Sequence, residues 1–196
     1  MHPELLSMSL FMLVTSCSPG PNNIVASYSA FNFGIIKTIP HMCGVIFGFT
    51  TLVAVVNFGL INIFKMFPLI QEILKYGGSI FLFYLAYKIS FSKSNSKDSN
   101  ENPVKFIETF LFQFLNPKAV IVSIIIVSTY VDSGENFTNH SIWVLVVSFI
   151  FACFSIFFWS LVGKFLRRFA TNEKFIKRFN YVMSLLLLGC IAAFYL

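Results

Sequence analysis

The stretch Ser18-Pro19-Gly20-Pro21-Asn22-Asn23 interrupts an apolar run over residues 5–30. Each proline lacks a backbone N–H, and its ring clashes with the carbonyl group four residues earlier, which costs a helix interior about 3 kcal/mol. The two carbonyls concerned belong to Thr15 and Cys17. The glycine between the prolines permits backbone angles that other residues resist. We therefore predict that a helix breaks here.

A second interruption, Asn116-Pro117-Lys118, lies in the apolar run 106–130. Asparagine is a good helix N-cap and proline suits the first helical position, so we predict that a new helix begins here. A lysine at the bilayer centre costs about 2.5–3.5 kcal/mol and usually faces a cavity. In the alternative, residues 106–115 lie on the membrane surface and the lysine extends to the cytoplasmic interface.

The composition is that of a membrane protein. Charged residues make up 11% of the chain and the mean hydropathy is +0.79, whereas soluble domains carry about 25% charged residues. A spanning helix needs about 20 apolar residues. Pro40 and Pro68 are predicted to lie just before the second and third spans. We predict an all-α membrane protein with six transmembrane helices, five being the alternative, at residues 5–30, 41–63, 69–90, 106–130, 142–163 and 179–196.

The only long polar stretch, within residues 92–105, is interpreted as a cytoplasmic linker. It divides a single transmembrane domain, residues 1–196, into three-helix halves at 1–91 and 106–196. Three spans per half make the halves enter the membrane from opposite faces. Any structural repeat between them is therefore inverted, an architecture common in secondary transporters.

Positive charge predicts the orientation. Eleven of the 14 lysines and arginines fall in or beside the first, third and fifth predicted loops. Cytoplasmic loops carry such an excess, so we place these three loops in the cytoplasm and both termini outside. Residues 5–17 also resemble the apolar part of a signal peptide, but the basic residues that normally precede it are missing.

Two interrupted segments at matching places in the two halves are a good sequence pointer to a transporter's binding site. Backbone groups freed within lipid need partners in protein or water, so a break is stable where it is buried or borders a wet cavity. A half-helix starting near Asn22 offers free N–H groups to a carboxylate. The amides of Asn22 and Asn23 suit a zwitterion. The predicted substrate-binding residues are Pro19, Gly20, Pro21, Asn22, Asn23, Asn116, Pro117 and Lys118. In the alternative, the kinks only serve helix packing.

Other features give weaker predictions. His41 is either part of a pathway gate or a loop residue at the cytoplasmic end of a span. Gln113 is a second gate residue, or it simply bonds a neighbouring helix. Gly44-x-x-x-Gly48 permits close helix contact or a homodimer. Two tryptophans near the ends of the fifth span are interpreted as interface anchors, Trp143 and Trp159.

Several functional classes are excluded. The net charge of +6 comes without a basic array interleaved with aromatic residues, so we expect no nucleic-acid partner. The four cysteines form no C-x-x-C pair, which argues against a disulfide framework, a metal site or a redox carrier. Neither a nucleotide-binding loop nor a hydrolase motif is present. We expect no enzyme activity, cofactor or metal, the partners being a small molecule and lipid. The alternatives are a membrane redox carrier or enzyme and a non-transporting structural protein.

The chain resembles the LysE/RhtB family of amino-acid exporters over essentially its whole length. The resemblance rests on Ser-Pro-Gly-Pro-Asn-Asn at 18–23, Gly34, Pro40-His41-x-x-Gly44-x-x-x-Gly48, Gly77-Gly78-x-x-x-Leu82-x-x-x-Leu85-Ala86 and Gln113-Phe114-Leu115-Asn116-Pro117-Lys118.

The resemblance implies a six-helix inner-membrane protein that exports amino acids or close metabolites, driven by the proton motive force. The first and last motifs and the apolar C-terminus look most like the cysteine/O-acetylserine exporter branch. No carboxylate lies in the middle of a span, so coupling through Lys118, coupling through the substrate's charge and no coupling all remain open.

Overall fold

In the computed structural model, residues 4–60, 68–91, 104–132 and 134–195 are described. Predictions for the linker at 92–103 and for the end of the second span at 61–63 lie outside them. The described residues form eight α-helices and no strand: α1 Leu5–Cys17, α2 Pro21–Phe33, α3 Ile35–Val55, α4 Pro68–Ser90, α5 Phe106–Leu115, α6 Pro117–Tyr130, α7 Phe137–Arg167 and α8 Glu173–Ala193. A π-helical turn, Val56–Leu60, extends α3.

Three of these helices are long and apolar enough to cross a membrane, over Ile35–Gly59, Phe137–Arg167 and Glu173–Ala193. The pair α5 and α6, bent by 64° at its break, makes a fourth candidate. The break in the first predicted span leaves α1 with 13 residues, too few to cross alone. The all-helical membrane class is thus supported, at three to four candidate spans.

The first predicted loop is wrong in extent. A single residue, Gly34 at φ +84° and ψ 165°, separates α2 from α3. Because α3 begins at Ile35, Pro40 lies inside the helix rather than before it. Its missing N–H leaves the carbonyl of Ile36 without the usual helical donor.

Close contacts between helices bring distant parts of the chain to one place. The main helix pairs are α2 with α7, α3 with α5 and α7, and α4 with α8. A Cβ at Gly163 of α7 would collide with the backbone of Ser27 on α2. A Cβ at Gly44 would lie 2.6 Å from the carbonyl oxygen of Phe106, and one at Gly48 would lie 2.7 Å from the Gln113 side chain. The Gly44-x-x-x-Gly48 face therefore packs on α5 within the chain, and a homodimer stays a prediction.

Buried and exposed apolar side chains lie on different faces of the helices. Met8, Leu52, Ile126 and Val144, each fully buried, join α1, α3, α6 and α7 in one cluster. Large apolar side chains point outward elsewhere, Ile36 being 83% exposed. Such a surface is unusual for a soluble monomer and suits lipid.

Gly34→Ala tests the junction between α2 and α3. A Cβ there meets no neighbouring atom, but this backbone region is essentially restricted to glycine and costs other residues about 1–3 kcal/mol. We expect the free energy of unfolding in detergent micelles to fall by about that amount. Gly189→Ala is the matched control, because its Cβ also meets open space and alanine favours the helix. Equal stability of the two variants would contradict the prediction.

Candidate functional site

The first break, between α1 and α2, is stabilised by side chains of α2 and α7. The carbonyl oxygen of Ser16 accepts three hydrogen bonds, from Asn23 Nδ2 at 3.3 Å, Ser155 Oγ at 3.0 Å and Trp159 Nε1 at 3.1 Å. Asn23 Oδ1 lies 3.2 Å from Ser155 Oγ and is the alternative acceptor of its single hydroxyl hydrogen. A carbonyl freed by the end of α1 thus finds its partners in protein, as the sequence argument required.

Lys118 binds the end of α1 from the opposite side. Its Nζ donates to Ser18 Oγ at 2.7 Å, Ser18 O at 2.9 Å, Thr15 O at 3.1 Å and Pro19 O at 3.4 Å. Thr15 is one of the two residues whose carbonyl the prolines were predicted to free. An ammonium group here also faces the negative end of the α1 dipole. The charge of Lys118 therefore lies inside the break rather than reaching away from the protein.

Gly20 leaves space beside it for the side chain of Lys118. Its φ of −164° and ψ of 170° are extended angles that any residue adopts, so the prediction that unusual backbone angles demand glycine was wrong. A Cβ at Gly20 would lie 2.9 Å from Cδ and 3.1 Å from Nζ of Lys118. The missing side chain leaves room for the lysine.

The second break fixes the helix that carries this lysine. Asn116 is buried, and its Oδ1 accepts from the backbone N–H of Lys118 at 3.2 Å. Pro117 is the first residue of α6. The predicted N-cap and first-position proline are confirmed. Together they hold the start of α6 at a fixed point relative to α5.

A reciprocal amide pair joins α2 to α5. Asn22 Nδ2 donates to Gln113 Oε1 at 2.7 Å, and Gln113 Nε2 donates to Asn22 Oδ1 at 3.2 Å. Gln113 Nε2 also donates to the carbonyl of Thr109, one turn earlier in its own helix, at 2.8 Å. Gln113 therefore bonds a neighbouring helix, as one of the two readings of the sequence proposed.

A cavity of about 80 Å³ lies between the two breaks. A buried water needs roughly 10–15 Å³, so the space holds several. Of the predicted site residues, Pro19 and Pro117 do not line it, and neither does His41. The predicted residues that line the cavity are Gly20, Pro21, Asn22, Asn23, Gln113, Asn116 and Lys118. Its other walls are Met12, Thr15, Ser16, Val45, Phe49, Ala119, Val122, Phe151, Ala152 and Ser155.

His41 lies directly behind this lining. The reading as a loop residue is wrong, because α3 begins six residues earlier, at Ile35, and His41 is 2% exposed. Its ring contacts Thr109 Oγ1 at 2.9 Å and the carbonyl oxygen of Asn22 at 3.2 Å.

Residues 13–196 match the family described as LysE type translocator. The chain belongs to the LysE type translocator family. It is 30% identical over 194 residues to a cysteine/O-acetylserine efflux protein of Salmonella typhimurium, with 97% of each chain covered. It is also 30% identical over 197 residues to the protein of that name from Escherichia coli K12, again with 97% of each covered. No solved structure matches.

The resemblance inferred from the motifs is therefore confirmed, including its likeness to the cysteine/O-acetylserine branch. The LysE assignment makes the chain a multi-pass inner-membrane transporter and not an enzyme. The alternative of a membrane redox carrier or enzyme is wrong.

Sequence reasoning missed the contribution of α7 to the site. Trp159 was interpreted as an interface anchor, yet its indole N–H donates into the first break. Ser155 lies four residues earlier and lines the cavity. Residues four apart share one face of a helix, so two polar groups at this spacing in an apolar helix were the signal that the sequence offered.

Gly20→Ala tests whether the space at Gly20 is needed for the observed position of the Lys118 side chain. The backbone angles at Gly20 suit alanine, so the fold should persist, but the new Cβ takes the space of the lysine side chain. We expect Lys118 to lose its carbonyl partners, its labelling by an amine reagent to rise, and transport to fall by about tenfold, the effect of losing one charge-assisted hydrogen bond. Labelling is read by mass spectrometry, with Gly189→Ala as the control. Unchanged labelling and transport would exclude this role of Gly20.

Proposed function

We propose that the chain exports small amino acids or their derivatives across the cytoplasmic membrane, driven by the proton motive force. The observation that carries the proposal is the cavity bordered by two broken helices, with the half-buried ammonium group of Lys118 between them. Irregular backbone at membrane depth is tolerated where it is buried in protein or lines a water-filled cavity. The relatives are named for cysteine and O-acetylserine efflux, so these two compounds are the first substrates to test.

The two sides of the first break suit the two charges of an amino acid. The end of α1 presents the carbonyl oxygens of Thr15, Ser18 and Pro19, which bind an ammonium group in this structure. Across the gap, α2 begins with no side-chain cap. The positive end of its dipole is therefore suited to bind an anion. A zwitterion whose carboxylate meets α2 and whose ammonium meets α1 is complementary to both ends.

Lys118 occupies the ammonium position itself. A substrate that binds there competes with the lysine for the same oxygen atoms, and the released Nζ is then free to pair with the substrate's carboxylate. The exchange replaces one set of charge-assisted hydrogen bonds by another, so a charge is never left unpaired in a site of low polarity. Without substrate, the lysine keeps the carbonyls of α1 satisfied.

The walls of the cavity favour a small solute. Phe49, Val122 and Phe151 close its apolar side, and Asn22 and Gln113 pair across its polar side. A cavity of about 80 Å³ is of a size that suits a small solute. Small neutral amino acids and close derivatives fit these limits.

We also propose that six spans form two inverted three-helix halves, residues 1–91 and 106–196, with loops one, three and five in the cytoplasm and both termini outside. The helix pairing supports this arrangement. The first span packs on the fifth through α2 and α7, and the fourth packs on the second through α5 and α3. The third packs on the sixth through α4 and α8. Exchange of the two halves reproduces this set of pairs.

Purified protein in liposomes tests the proposed function. With radiolabelled cysteine, O-acetylserine and a panel of small neutral amino acids, we expect flux that an imposed pH gradient increases. Asn22→Ala and Lys118→Ala should each reduce flux by about 10- to 100-fold, because each removes partly buried hydrogen bonds at the proposed site, while membrane expression stays normal.

Asn139→Ala and Lys164→Ala are the matched controls, since both residues are exposed and lie outside the cavity. If the wild-type protein transports none of these compounds, the proposed substrate class is wrong. Normal flux through both site variants would show that substrate binds elsewhere in the protein.

A further inference from the structure

A buried histidine lies between the cavity-lining end of α2 and the helix α5. The ring of His41 lies on α3 and bonds Thr109 on α5 through Nδ1 and the carbonyl of Asn22 on α2 through Nε2. Asn22 and its amide partner Gln113 both line the cavity. His41 is therefore one residue removed from the solvated space, although it is 2% exposed.

Both protonation states of this ring are fully hydrogen-bonded. A carbonyl oxygen only accepts, so Nε2 carries a proton and donates to Asn22 in either state. In the neutral ring, Nδ1 accepts from the hydroxyl of Thr109. In the charged ring, Nδ1–H donates to Thr109 Oγ1, and the hydroxyl proton turns to the carbonyl oxygen of Lys105, which lies 3.2 Å from Oγ1. A rotation of one hydroxyl thus accommodates a proton without displacing any heavy atom.

We propose that His41 is the proton-binding site that couples transport to the proton gradient. The inference rests on the proposed function and adds to it the group that carries the proton. Nδ1 binds one proton when the cavity is open to the external face and releases it when the cavity is open to the cytoplasm. Asn22 bonds Gln113 through its side chain and the ring through its carbonyl, so a movement of Asn22 that admits substrate also exposes the histidine.

Among the residues that the structure describes, no carboxylate bonds the ring, whose partners are Thr109 and Asn22. The helices that pack on α3 carry the other titratable groups near it. On α5, Glu108 accepts from the backbone N–H of Lys105 at 3.0 Å, and on α6, Lys118 is bonded to the end of α1. The remaining titratable groups of α2, α3, α6 and α7 are Tyr28, Lys37, Cys43, Tyr130, His140, Cys153, Lys164 and Arg167. The ring thus bonds the backbone of the cavity lining on one side and a rotatable hydroxyl on the other.

His41→Gln in liposomes separates coupling from binding. Glutamine keeps an N–H donor for the Asn22 carbonyl and takes up no proton. We expect the variant to exchange labelled for unlabelled substrate at equal pH within about twofold of the wild-type rate, since this hydrogen bond is retained. Accumulation driven by a pH gradient, and the substrate-dependent proton flux seen by a pH-sensitive dye, should both be lost. His140→Gln, the matched control, should keep all three.

The outcomes distinguish this inference from the proposed function. Gradient-driven accumulation by His41→Gln would overturn the role of His41 and leave the transporter assignment intact. If His41→Gln loses both exchange and accumulation, the histidine is structural, and its role as the proton-binding site is also overturned. Absence of all flux in the wild-type protein would remove the proposed function itself.

A second pair of variants tests the hydroxyl. Thr109→Val removes the acceptor that the charged ring needs, and charge-assisted hydrogen bonds are the stronger ones. We therefore expect the pH of half-maximal gradient-driven transport to move lower by about one unit, equivalent to one such bond. Thr109→Ser keeps the hydroxyl and should restore the wild-type profile. Identical pH profiles for Thr109→Val and the wild-type protein would overturn the role of the Thr109 hydroxyl as the partner of the charged ring.

Discussion

The fold of this protein depends on how a broken helix end is satisfied where water is scarce. The prolines after α1 end the helix at Cys17 and leave its last carbonyls without helical donors. Within a bilayer each such group costs several kcal/mol unless it is bonded. The ammonium of Lys118 and the side chains of Asn23, Ser155 and Trp159 supply the donors. The break therefore exists only while α2, α6 and α7 are held against it.

This requirement explains why the tightest helix contacts surround the site. Gly163 brings α7 onto the backbone of Ser27 in α2, and Gly44 and Gly48 bring α3 onto α5. These close contacts between helices fix the positions from which Ser155 and Gln113 bond the residues of the first break. The small residues thus act on function through distance, since a shift of about 1 Å would break several of the hydrogen bonds described.

Local chain chemistry was enough to predict the two breaks and the cap formed by Asn116, because prolines and an N-cap act over a few residues, and the family followed from the resemblance of the motifs. The contacts between distant segments were beyond it. Trp159 is 143 residues from the carbonyl that it bonds, and its sequence neighbourhood gives only an amphipathic ring near the predicted end of a span. The early start of α3, which places Pro40 and His41 within a helix, depends on a one-residue connection at Gly34 that apolar length alone does not reveal.

The same few hydrogen bonds also explain how one residue connects the parts of the site. Asn22 gives its side chain to Gln113 and its carbonyl to His41, and it is the second residue of the half-helix whose dipole faces the cavity. A ligand that draws the Asn22 amide away from Gln113 therefore also disturbs the acceptor of the histidine. Since buried hydrogen bonds are costly to leave unmade, the α2–α5 contact tends to be formed or broken as a unit. That cooperativity is the physical condition that the proposed exchange of a solute on one side of Asn22 for a proton on the other requires.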